Sequence, residues 1–83
     1  MKYRKKPVVV EATQFLEPKL APLGVFVDAN EFWADEFWVV TIHGQKTPVY
    51  LGDWIITEPD GVHHYPCKPG IFAATYEPVE EKP

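Results

Sequence analysis

The stretch DWIITEPDGVHHY, residues 53–65, decides how this chain is read. Two apolar runs flank EPDG, 58–61. Pro59 suits the second position of a type I turn because its ring pre-sets φ, and Gly61 suits the fourth. Such a turn folds DWIIT, 53–57, back onto VHHY, 62–65, as an antiparallel hairpin. PCKPG, 66–70, then predicts a rigid corner in which Pro66 and Pro69 end the strand and hold Lys68 in a fixed position between them. At the entrance, Gly52 marks a bend or bulge. Asp53 reads as a carboxylate that bonds backbone amides at the bend, and Asp60 as part of the turn.

Outward from the hairpin, IFAATYE, 71–77, predicts a last strand, with Ile71, Ala73 and Thr75 on one face and Phe72, Ala74 and Tyr76 on the other. On the N-terminal side, WVVTIH, 38–43, predicts a strand that turns at Gly44 and Gln45 and returns over 47–51. VVVEATQF, 8–15, predicts another strand, with Pro7 placed where no ladder donor is lost. LEPKLAPLG, 16–24, is a loop broken by Pro18, Pro22 and Gly24 and expected to pack. DANEFWADEF, 28–37, predicts a short helix: Asp28 and Glu31 resemble a capping box, and Trp33 and Phe37 stand at i, i+4. The fold class is therefore mainly β (α+β): a small antiparallel sheet or partly open barrel of five to six strands with one short helix. Residues 1–83 form one small domain, with 78–83 as a flexible tail and no internal repeat.

Eighty-three residues bury a modest core, and stability must come from somewhere. Cys67 is the only cysteine, so no disulfide closes within the chain, and a lone thiol fits a reducing compartment. Three Trp, four Tyr and five Phe supply large apolar areas instead, some of them expected to be buried between subunits of a homo-oligomer. The net charge of −4 argues against general nucleic-acid binding. The charge is uneven: Lys2, Arg4, Lys5 and Lys6 crowd one end, Glu77, Glu80 and Glu81 the other. Solvated tails explain this pattern, and so does a basic rim that captures an anion. The basic start lacks the apolar run of a signal peptide, and no window approaches the ~18 apolar residues of a membrane span.

Candidate chemistry is sparse. Cys67 with His63 or His64 offers a nucleophile and base, yet no oxyanion hole is evident and Cys67 suits packing under the proline corner. The same three residues fall short of the paired ligand spacing of a zinc site, and His43 is the only other histidine, so no metal and no cofactor is expected. Asp53, Asp60, Glu58 and Glu11 make no recognisable acid–base pair, and no glycine-rich phosphate loop is present. An anion site would need side chains: Arg4, Lys5 and Lys6 for a phosphate, Lys68 as a further cation, and Trp54, Tyr65 or Trp38 as stacking planes.

The two ends of the chain, YRKKPVVVEATQF and GDWIITEPDGVHHYPCKPGIFAATYEPV, resemble a widespread family of small bacteriophage and prophage proteins. Members look like YRKKP followed by an apolar run and EA at the front, and like GDWI…YPCKPDIF…TYE at the back. The middle, roughly 16–51, is where such proteins differ. This chain has Gly70 where the family commonly carries an aspartate. The resemblance implies an origin, a phage gene expressed in the bacterial cytoplasm, and not an activity.

Two functional expectations follow. The first is a non-catalytic module that sequesters an anionic, nucleotide-like small molecule, such as a host defence signal, through Arg4, Lys5, Lys6, Trp54, Tyr65 and Lys68. The alternative is a protein-interaction module, an inhibitor of a host protein or a virion or replication accessory, with Phe32, Trp33, Phe37 and Trp38 as its contact surface.

Overall fold

A computed structural model of the chain describes residues 1–3, 9–29 and 32–79. Arg4, Lys5 and Lys6, Glu31 of the expected capping box, and most of the expected tail at 78–83 lie outside the described residues.

Among the described residues, six strands and one short α-helix follow in chain order: β1 (Ala12–Gln14), β2 (Phe26–Asp28), β3 (Glu36–Val40), β4 (Lys46–Val49), β5 (Trp54–Thr57), β6 (His64–Cys67) and α1 (Pro69–Thr75). A single 3-10 turn at Pro18–Leu20 stiffens the first long loop, and Pro22 beyond it is buried. The strands form two antiparallel sheets, β1-β5-β6 and β2-β3-β4, and neither closes into a barrel.

The EPDG turn forms as its residues dictate. Gly61 N–H donates to the Glu58 carbonyl (2.9 Å), and β5 pairs with β6 across it, Trp54 opposite Cys67 and Thr57 opposite His64. Central β5 also pairs with β1, Thr13 opposite Ile55. Its run WIIT is apolar without alternation because both faces of its sheet are covered. Ile55 faces the second sheet and joins Phe15, Val39 and Val49 in the core, with Val25 and Phe37 against them. Ile56, on the opposite face, is fully buried as well. Burial of each such side chain stabilises the fold by roughly 1.5–3 kcal/mol.

Three local expectations are corrected. First, 28–37 is not a helix: β2 ends at Asp28, β3 begins at Glu36, and the described residues between them carry no helix. Phe37, Trp38, Val39 and Val40 form an aromatic and β-branched run that fits a pleated surface, and the pairing of Phe37 with both Val27 and Val49 overrides the isolated i, i+4 pair. Second, 71–77 is not a strand. Helix α1 starts at Pro69, whose missing N–H costs nothing in the first turn, and runs to Thr75. Phe72 and Tyr76 stack along one side of it at 5.0 Å. Third, Pro66 does not end the second hairpin strand but lies inside β6, opposite Ile55. That strand is the edge of its sheet, where a residue lacking N–H is tolerated.

One glycine is required by close approach. Gly24 has φ +93°, and a Cβ there would overlap the buried ring of His64. The loop thus crosses β6 at contact distance only because position 24 has no side chain.

Candidate functional site

Lys68 is held in place, as the proline corner suggests, and its charge already has a partner. The turn between β4 and β5 closes when Asp53 N–H donates to the Tyr50 carbonyl (3.0 Å), with Gly52 at φ +95° in the third position, as a type II turn demands. The Asp53 carboxylate is 2% exposed. Its Oδ2 accepts the Tyr50 N–H (3.0 Å), and its Oδ1 accepts Lys68 Nζ (2.9 Å). The ammonium also stands 4.8 Å from the centre of the Tyr50 ring. A buried carboxylate with a partly exposed cation is a tie between the β4–β5 turn and the start of α1.

Trp54 and Tyr65 come together on the face of the first sheet that α1 covers. Trp54 stacks on Phe72 at 4.1 Å and 7°. The Tyr65 hydroxyl meets that of Tyr76 at 3.2 Å. Burial, then the Tyr76 hydroxyl, push the Tyr65 phenol above its ordinary value near 10. Both rings are thus engaged by the protein's own groups.

Cys67 is half-buried, and its thiol points toward the Lys68 carbonyl at 3.7 Å. His64 lies three residues away on the opposite face of β6. His63 is paired with Asp60, which caps the hairpin by accepting the N–H groups of Val62 and His63 at 2.9 Å each. The backbone N–H of His63, then its ring, then the Val62 N–H lower the Asp60 carboxyl from 3.8 to about 2. Among the described residues no base is hydrogen-bonded to the thiol, and no group of three or more His, Cys, Asp or Glu is placed to hold a metal ion. No described helix is long and apolar enough to cross a membrane.

The second sheet presents a different surface. Alternation along β3 sends Phe37 inward, edge-on to Phe15 at 4.9 Å, so its ring belongs to the core. Trp38 points out. It is in register with Phe26 on one side and Pro48 on the other, and it stacks on Phe26 at 4.5 Å and 20°. Lys46 Nζ lies 4.4 Å from the centre of the same indole and pairs with Asp28 at 3.1 Å. Trp38 Nε1 is buried and has no acceptor among the described residues. An unsatisfied donor of this kind costs about 1–3 kcal/mol. Phe32 and Trp33, in the loop before β3, are 83% and 67% exposed.

An open groove of about 690 Å³ is lined by Trp38, Pro48, Tyr50, Leu51, Pro18 and Ala34, with Asp35, Glu36 and Lys46 as its charged residues. Of the aromatic contact residues expected from sequence, Trp38 and Phe37 border it. Glu36, Lys46, Pro48 and Tyr50 were not anticipated. The alternation of E-F-W and K-T-P-V carries the signal, since it places Glu36 with Trp38 and Lys46 with Pro48 once 36–40 is read as a strand.

Comparison with models of protein families, with curated proteins and with solved structures finds no match for this chain.

Proposed function

We propose that this chain is a non-catalytic protein-interaction module, a small accessory protein of phage or prophage origin working in the cytoplasm of its bacterial host. The observation that carries the reading is the outer face of the β2-β3-β4 sheet. It carries Phe26, Trp38 and Pro48 in one cross-strand row, with Phe26 and Pro48 exposed and Trp38 half-buried. Phe32, Trp33, Tyr50 and Leu51, all more than half exposed, are further large apolar side chains of the same strands and loops. Clustered apolar surface rimmed by charge is the mark of an interaction site rather than of scattered surface residues. The phage origin rests on the resemblance of the two chain ends alone.

The reading as a sequestering module for an anionic or nucleotide-like molecule has less support. Lys68 is paired with Asp53, and Trp54 and Tyr65 lie against Phe72 and Tyr76. Trp38 has Phe26 on its ring and the Lys46 ammonium over it. Stacking by a base would have to displace these groups.

The test is affinity purification of the tagged full chain from its bacterial host, beside a Trp33→Ala/Trp38→Ala double variant, with native mass spectrometry of the eluate. A defined polypeptide retained by the natural chain and lost from the folded variant is the expected result. Retention of the same polypeptide by both chains, or a small ligand in place of any polypeptide, overturns the reading. A homo-oligomer that carries the polypeptide is compatible with it.

A further inference from the structure

Asp60–Gly61 is the one Asp-Gly link in the chain, and it stands in the turn of the β5–β6 hairpin. Glycine has no side chain to shield its nitrogen, so at such a link the chain most readily closes a ring on itself. In that reaction the Gly61 nitrogen attacks Cγ of Asp60. The N–Cγ bond forms, one Cγ–O bond breaks, and the amide proton leaves with that oxygen as water. A second water then opens the five-membered succinimide at either carbonyl. Opening at the main-chain carbonyl leaves isoaspartate, in which the chain runs through Cβ and Cγ. Water is the only co-reactant.

The fold opposes the first step in three ways. Asp60 Oδ1 accepts the N–H groups of Val62 and His63 at 2.9 Å each, and Oδ2 meets the His63 ring. Both oxygens are thus held by residues beyond Gly61, and the attack needs the carboxyl to turn away from them. The Gly61 N–H donates to the Glu58 carbonyl (2.9 Å), so the proton that must leave is engaged in the turn's own bond. The backbone N–H of His63, then its ring, also lower the carboxyl from 3.8 to about 2, and the anion gives up an oxygen far less readily than the acid. Opening of the hairpin removes all three obstacles together. The product does not fit back into the turn, because isoaspartate lengthens the main chain by one carbon and moves the free carboxylate onto Cα. We propose that Asp60–Gly61 is a modification site gated by the fold: it stays aspartate while its carboxyl caps the β5–β6 hairpin, and it forms isoaspartate when the hairpin opens, after which the hairpin cannot regain its register.

The experiment incubates the purified full chain at about pH 6, where free aspartate is still partly protonated, and follows isoaspartate at position 60 by peptide mapping with electron-transfer mass spectrometry. A free peptide of residues 57–65 is the uncapped reference. Conversion in the folded chain is expected to be at least about tenfold slower than in the peptide, and to match the peptide once both are in unfolding urea. Equal rates in folded chain and peptide overturn the inference. Asp60→Asn separates the held geometry from the charge, since Asn-Gly closes the same ring with loss of ammonia and its amide oxygen keeps the two backbone donors. With amide exchange showing the hairpin formed, its deamidation is also expected to be about tenfold slower than in the matching peptide. Deamidation at the peptide's rate in a formed hairpin overturns gating by geometry, and if this variant opens the hairpin the natural chain against its peptide decides alone. The purified isoaspartate chain is expected to unfold at lower urea than the natural chain and to lose amide protection at Gly61 and His63. An unchanged midpoint with unchanged protection overturns the loss of register.

Discussion

The two sheets have three strands each and the same antiparallel pairing, yet they are built for different purposes. The β1-β5-β6 sheet is covered on both faces, by the second sheet and by α1, and its connections are tied by Asp53–Lys68, Asp60–His63 and Tyr65–Tyr76. The β2-β3-β4 sheet packs one face against it. Its other face carries a stacked Phe26–Trp38 pair, one ion pair and an indole N–H with no acceptor. In a chain this small there is not enough apolar material to cover four faces. The shared core lies between the sheets, where Val39 and Val49 of the second meet Ile55 and Phe15 of the first, and the extra ties belong to the first sheet.

If that division is real, substitutions should separate along it. Phe15→Ala, which empties a fully buried site between the sheets, should cost about 4 kcal/mol in urea unfolding. Leu51→Ala, on the groove, should cost less than about 1 kcal/mol and act on binding instead. Equal losses would break the comparison. Gly24→Ala comes next: the methyl meets the buried His64 ring and the backbone holds a left-handed φ, so a loss of about 2–3 kcal/mol is expected. His64→Ala in the same background should recover part of it, because the obstruction is removed.

Sequence and structure agree most where turn chemistry is explicit. EPDG and the bend at Gly52 form through proline and glycine geometry, Asp60 belongs to its turn, and Asp53 bonds a backbone amide as expected, while the β3–β4 turn falls at Thr41–Gly44, earlier than Gly44–Gln45, because β3 ends at Val40 rather than His43. Agreement fails where local preference and tertiary pairing compete. In 71–77, β-favouring Ile, Phe, Thr and Tyr suggest a strand, while Pro69 at the first helical position and the Phe72–Tyr76 spacing carry the helical signal. In 28–37, one aromatic i, i+4 pair outweighed the strand-like run that follows it. A helix would place Trp33 and Phe37 side by side, whereas β3 turns Phe37 toward the core and Trp38 to the opposite face, both half-buried. The pairing of Lys68 with Asp53 was not legible because it joins a turn to a corner 15 residues later, and no local pattern encodes that contact.

The ties of the first sheet sharpen the comparison further. Lys68→Met leaves the buried Asp53 carboxylate without its cation. Water reaches the 59%-exposed lysine end, so the expected loss is about 1–2 kcal/mol rather than that of a fully buried pair. Lys68→Arg should restore most of it. At high pH the Tyr65 phenol matters. Its folded value lies above the ordinary one near 10, so the unfolded chain releases the proton first. The stabilising contribution is complete below pH 10 and is lost as pH rises beyond it. Chemical unfolding between pH 9 and 11 should show this decline, and Tyr65→Phe should flatten it. A decline unchanged by Tyr65→Phe would place the sensitive group elsewhere.

The smallest expected effect lies at acid pH, and it too should belong to the first sheet. Asp60 caps the β5–β6 hairpin, and its carboxyl is lowered from 3.8 to about 2 by the backbone N–H of His63, then the His63 ring, then the Val62 N–H. A lowered value means that the unfolded chain takes up the proton first as pH falls. The cap's contribution is therefore fully present above about pH 3.8 and disappears as pH drops toward 2. The group is at the surface, so the change should be shallow. Asp60→Asn keeps an acceptor for the two backbone N–H groups but has no proton to bind. It should leave the hairpin formed at neutral pH and remove this part of the acid slope. Amide exchange read at Val62 and His63, between pH 4 and 2, would localise the loss to the hairpin. If the β3–β4 turn opened in step with it, the two sheets would be one cooperative unit and their separation into scaffold and contact face would be one of surface chemistry, not of stability.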